Sequence, residues 1–132
     1  MTAPAVIEPI VQKAMGDCVI ACIAMILGVP YQEASKAALD VKPQPHSTGL
    51  TTREAQKIAN KLVGHPFQIV NTKGADLDFD NETGILYVRM SRSYHAVILF
   101  EGVVVDPSDG LVWNLQTFLH TKKASTYKLL RP

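Results

Sequence analysis

The chain holds two cysteines, Cys18 and Cys22, one helical turn apart in the segment Asp17 to Gly28. Cys18 falls at the first or second position of the helix this segment predicts. Unpaired N–H groups and the positive end of the helix dipole stabilise a thiolate there, and the thiolate is the reactive form of cysteine. Cys22 lies a turn further in, flanked by Ala21, Ile23 and Ala24, and reads as a small core hydrophobe. The chemistry on offer is nucleophilic attack on a carbonyl. It needs more than a thiol: a base, an orienter for that base, and donors for the oxyanion that forms.

Of the four histidines, His46 and His65 lie in a loop and just past a helix end, and His120 sits beside Lys122 and Lys123 in an exposed setting. His95 instead opens the apolar run His95–Phe100, so a strand fixes its backbone while its side chain projects from the strand end. The next run, Val103 to Asp106, is stopped by Pro107, and Glu101-Gly102 supplies a tight hairpin turn between the two. That hairpin sets residues around 95 to 96 across from 106 to 107, placing Asp106 where an acid can hold the imidazole in the useful tautomer. Gln12, six positions before Cys18 in a stretch that Pro9 and Gly16 mark as irregular, has a side-chain amide able to join the Cys18 N–H as an oxyanion donor.

The elements that must position these residues follow from periodicity and punctuation. The segment opens with Asp17 as a candidate capping residue, is apolar on all sides and ends at Gly28 with Pro30 just beyond, which predicts a buried helix. A second helix is predicted from Tyr31 to Leu39, and the prolines and small polar residues of Val41 to Gly49 make a loop. Thr51 or Thr52 can cap a third helix, with Glu54 in its first turn, a stripe of Ala55, Ile58, Ala59 and Leu62, and Gly64 to end it.

After Pro66 the period moves towards 2. Strands are predicted at Phe67–Val70, at Ala75–Phe79 before a turn through Gly84, at Ile85–Met90, at His95–Phe100, at Val103–Asp106 and at Ser125–Leu130. A short helix runs from Asn114 to near His120. The expected class is α+β in one domain, N-terminal helices packed on one side of a C-terminal antiparallel sheet.

The segment Gln12 to Cys18 resembles the Q-x-x-x-x-D-C opening of papain-like cysteine peptidases in their compact bacterial, bacteriocin-processing form. His95-Ala96-Val97-Ile98 and Val105-Asp106-Pro107 are similar to that family's catalytic His strand and its D-P strand end. Gly49-Leu50-Thr51 through Leu62-Val63-Gly64 is similar to its intervening pattern, and Gly110-Leu111 with Leu115-Gln116-Thr117-Phe118 to the glycine and short L-x-x-F helix that follow its D-P, so the likeness runs from about Ile10 to Leu130. The resemblance implies a papain-like fold with Cys18 as nucleophile, His95 as base, Asp106 as its orienter and Gln12 in the oxyanion hole. Three departures stand out. Val19 replaces the Gly common after the nucleophile, the interval from His95 to Asp106 is short, and no ATPase or membrane portion follows, which counts against a role in export.

Composition narrows the partners. In 132 residues, 13 Lys and Arg face 12 Asp and Glu for a net charge of +1, so no nucleic-acid partner held by a broad basic face is expected. The longest apolar run, Val19 to Val29, is far short of the roughly 20 residues a membrane span needs, and no secretory leader is recognisable. Two cysteines do not make a disulfide framework, which points to a reducing, cytoplasmic setting.

Asp76, Asp78 and Asp80 mimic the start of a calcium loop, but Asn81 and Tyr87 stand where Gly and a bidentate Glu are required. The acids read as the solvent side of a strand. A zinc site from Cys18, Cys22 and His95 lacks a fourth ligand, so neither metal nor cofactor is expected. Lys122, Lys123, Lys128 and Arg131 read as a solvated edge strand.

The expected activity is thiol-dependent cleavage of a peptide or isopeptide bond in a peptide or protein substrate. The alternatives are deamidation or acyl transfer through the same thioester, and a papain-like domain that binds a partner without chemistry. Sequence leaves the oligomeric state open.

Overall fold

The computed structural model describes residues 17–45, 49–64, 66–73, 77–91 and 93–132. Helix α1 (Cys18–Leu27) is buried at every position after Cys18 and stops where Gly28 turns left-handed, φ 66°, with its N–H on the carbonyls of Ala24 and Met25. Only glycine enters that conformation without strain, and the Val29 N–H then closes back on Ala24, so the chain reverses directly into α2 (Tyr31–Val41). Helix α3 (Thr52–Val63) opens with a full capping box. The Thr51 hydroxyl accepts from the Glu54 N–H, and the Glu54 carboxylate accepts from the Thr51 N–H. Its buried residues, Thr52, Ala55, Ile58 and Ala59, recur at helical spacing, as the stripe in the sequence predicts.

Six strands form one antiparallel sheet: β1 (Gln68–Asn71), β2 (Thr83–Arg89), β3 (Tyr94–Phe100), β4 (Val103–Val105), β5 (Val112–Asn114) and β6 (Ser125–Arg131), in the order β1-β6-β2-β3-β4-β5. Strand alternation sorts the sheet's apolar residues between two cores. Ile85, Tyr87, Ala96, Ile98, Val105 and Leu130 pack with α1, α2 and α3, whereas Leu86, Val88, Val97, Leu99, Val104 and Leu129 pack with Leu115 and Phe118 of α4 (Leu115–Lys122). The α+β class holds, but the helices do not all lie on one side. Helices α1, α2 and α3 cover one face and α4 covers the other.

Two further expectations are corrected. The residues Leu77 to Phe79 are not a strand. Asp78 accepts from the Asp80 N–H and from the Asn81 amide, which winds Phe79–Asn81 into a 3-10 turn whose Leu77 and Phe79 side chains pack against the second core. Asp76 lies outside the described residues. The basic strand β6 is not an edge but lies between β1 and β2, where Arg131 pairs with both carboxylate oxygens of Glu82 at 3.0 Å. Among the described residues the edges are β1 and the three-residue β5, which the sequence pattern does not reveal. Gly84 marks how tightly β2 meets β6, since a Cβ there would stand 2.4 Å from the Leu130 carbonyl oxygen.

Candidate active site

Three elements deliver the candidate residues. Cys18 is the first residue of α1, His95 the second of β3, and Asp106 follows β4 directly. The turn between β3 and β4 is as short as Glu101-Gly102 predicts, with both residues at positive φ, 49° and 83°. Its register pairs Ile98 with Val105, so continuing the ladder sets Asp106 opposite Val97 rather than opposite His95 or Ala96. The histidine and the acid are therefore diagonal neighbours, a separation their side chains span.

His95 Nε2 lies 2.8 Å from Asp106 Oδ1, and both side chains are withdrawn from solvent, 16% and 3% exposed. The Ser108 N–H donates to the same carboxylate oxygen at 2.9 Å. Behind it, the Gly110 N–H on the Asp106 carbonyl (2.7 Å) and the Asp106 N–H on the Leu111 carbonyl (3.0 Å) close the loop, so the carboxylate is held from several directions. Burial pushes the Asp106 carboxyl up. The hydrogen bond from His95, the Ser108 backbone and hydroxyl, and the imidazole charge outweigh it, leaving Asp106 below the usual carboxylate range.

Burial likewise opposes a charged imidazole. The hydrogen bond to Asp106, the nearby Cys18 thiol and the negative charges of both partners prevail, and the pKa of His95 is pushed up to about 9. With Nε2 on Asp106, Nδ1 is the ring nitrogen left for the thiol. Cys18 is half-buried, whereas Cys22 has no exposed surface, and burial, followed by the charges of Cys18 and Asp106, pushes its thiol well up. The structure thus brings Cys18, His95 and Asp106 together and leaves Cys22 in the core.

Gln12 lies outside the described residues, as do His46 and His65. His120 is exposed near the end of α4. Among the described residues no group of three or more His, Cys, Asp or Glu is arranged to hold a metal ion, and no helix is long and apolar enough to cross a membrane.

Sequence reasoning missed several neighbours of the site. Asp17 reads as a capping residue, yet its side chain does not cap α1. It is fully buried and accepts from the Tyr31 hydroxyl, fourteen residues away. Ser108 has a local signal, since a small polar residue two positions after an Asp is an Asx-turn pattern. Tyr87 has none. Its hydroxyl lies 3.5 Å from the Thr51 carbonyl, and burial, then the charges of Cys22, Cys18 and Glu54, push its phenol well up.

No protein family and no curated protein matches this chain, so the functional conclusion is carried by the geometry of Cys18, His95 and Asp106.

Proposed function

We propose that this chain is a thiol hydrolase of papain-like fold that cleaves a peptide or isopeptide bond in a reducing, cytoplasmic setting. The observation that carries this is an imidazole held between a half-buried cysteine at a helix start and a buried carboxylate, with a pKa of about 9. An imidazole in that range is protonated at neutral pH and so is ready to act as the acid.

The Cys18 sulfur attacks the substrate carbonyl carbon, forming a C–S bond and an oxyanion that accepts from the Cys18 N–H and, as the family resemblance implies, from Gln12. His95 gives its proton to the amide nitrogen, the C–N bond breaks and the amine leaves, giving a thioester. His95, now neutral, takes a proton from water as the water attacks the thioester. Sulfur departs, a carboxylic acid is released, and the imidazolium is restored. Asp106 keeps the ring oriented throughout and stabilises its charged form.

The test is to profile the intact protein against peptide, isopeptide and glutamine-containing protein substrates, with Cys18→Ala as control. Hydrolysis of a backbone or isopeptide amide that disappears in Cys18→Ala supports the proposal. Ammonia release from side-chain amides with peptide bonds untouched transfers the assignment to a deamidase. Tight binding of a peptide without turnover in either form transfers it to a binding module.

A further inference from the structure

Among the described residues, three α-helix N-cap positions carry a side chain able to cap, and they do not behave alike. Thr51, at ψ 167°, accepts from the Glu54 N–H at 3.2 Å. Asn114, at ψ 138°, accepts from the N–H groups of Gln116 and Thr117 at 3.0 and 3.3 Å. Both have the extended backbone that capping uses. Asp17, which precedes Cys18, has ψ −1°, in the right-handed helical region, and makes no side-chain cap. Its carboxylate is fully buried and accepts from the Tyr31 hydroxyl instead. The reversal through Gly28 and Pro30 brings Tyr31 back along α1 to meet it. Within the described residues nothing accepts from the N–H groups of Cys18, Val19 or Ile20.

An aspartate is among the preferred capping residues, so its diversion at this one helix has a chemical consequence. A carboxylate seated on the first turn of α1 would occupy the donors that an oxyanion needs and would set a negative charge against the one developing there. Resting on the hydrolase reading above, we infer that Tyr31 is a positioning residue for the reaction: by holding the Asp17 carboxylate away from the first turn of α1, it keeps the N–H groups there open to the oxyanion formed when Cys18 attacks. Tyr31 touches no reacting atom and acts through Asp17. Burial, then the hydrogen bond and charge of Asp17, push the Tyr31 phenol upward, which keeps it a donor.

The experiment compares wild type, Tyr31→Phe, Asp17→Ala and the double variant by ¹H–¹⁵N spectra and by steady-state kinetics. Tyr31→Phe keeps the ring and loses the hydroxyl that donates to Asp17. The expected result is that Asp17 turns to cap α1, moving the Val19 or Ile20 amide proton downfield. The kcat then falls about a hundredfold to a thousandfold with KM little changed, the range seen when an oxyanion donor is lost. In the Asp17→Ala background, where no carboxylate remains to cap, adding Tyr31→Phe leaves those amide signals in place.

Unmoved Val19 and Ile20 signals in Tyr31→Phe, or equal changes in both backgrounds, would overturn the inference. A second measurement needs no substitution: a peptide aldehyde whose adduct with Cys18 carries the same oxygen should shift the Cys18 or Val19 amide proton downfield, and an adduct without that shift overturns the inference too. Absence of turnover and of any aldehyde adduct in the wild type defeats the hydrolase reading itself, while the amide signals of the variants still decide what Tyr31 does to α1.

Discussion

Replacing His95 with Gln keeps a donor for Asp106 but removes the titrating ring, and the difference between the two proteins has a definite pH signature. His95 moves from an ordinary value of 6.5 to about 9 on folding. A group raised in the folded state contributes its full stabilisation below its unfolded pKa and loses it as pH rises through the folded one. At roughly 1.4 kcal/mol per pH unit the interval is worth roughly 3 kcal/mol, and the ring's 16% exposure calls for little discount for solvent screening. The opposite limit is set by Asp106, whose pKa is lowered from 3.8. Its contribution is present above that value and fades as pH falls through the depressed one.

The stability of wild type relative to His95→Gln should therefore be greatest between the two unfolded values, about pH 4 to 6.5, and should decline towards pH 9. Urea unfolding of both proteins across that range measures it, with the ring proton signals of His95 giving the midpoint directly. A midpoint near 6.5, together with a stability difference that does not change with pH, would refute the claim that Asp106 and Cys18 hold the imidazole charged.

Three other outcomes are expected. Iodoacetamide at neutral pH should label half-buried Cys18 well before Cys22, whose thiol is fully buried and pushed up, and mass mapping that finds Cys22 first would reverse the assignment of nucleophile. Asp106→Asn removes the partner that most favours the charged ring, so the His95 midpoint should fall and turnover should drop about a hundredfold or more, with circular dichroism unchanged. Gly84→Ala places a methyl 2.4 Å from the Leu130 carbonyl and should destabilise by about 1–3 kcal/mol in denaturant titrations through forced separation of β2 and β6.

What the sequence made legible is what short-range chemistry determines. Gly28 with Pro30 ends α1, the pair Thr51 and Glu54 starts α3, and Glu101-Gly102 turns the hairpin that brings Asp106 to His95. Each signal lies within a few residues of its effect. The misses depend on long-range choices. Leu115 and Phe118 announce an apolar helical stripe, but nothing local says which face of the sheet it will cover. Val112–Asn114 is too short to show a period. The lysines of β6 suit an edge, yet Leu129 and Leu130 feed opposite cores and draw that strand between two partners. The same holds at the site: the identity of Asp17 suggests a cap, and only the fold supplies the Tyr31 hydroxyl that takes its side chain elsewhere.

The central position of β6 also sets the order in which the chain can assemble. The hairpin of β3 and β4 closes over two residues and can form within microseconds, so His95 and Asp106 are neighbours early. Among the described residues strand β1 pairs with β6 alone, and Gln68 meets Arg131 across a separation of 63 residues. Until that long loop closes, one side of β2 and the whole of β1 stay unpaired, and much of the apolar surface that α1 must cover lacks its Leu130 component. Such a topology should fold slowly, and while those edges are open refolding yield should fall with protein concentration well before the native state itself is at risk of association.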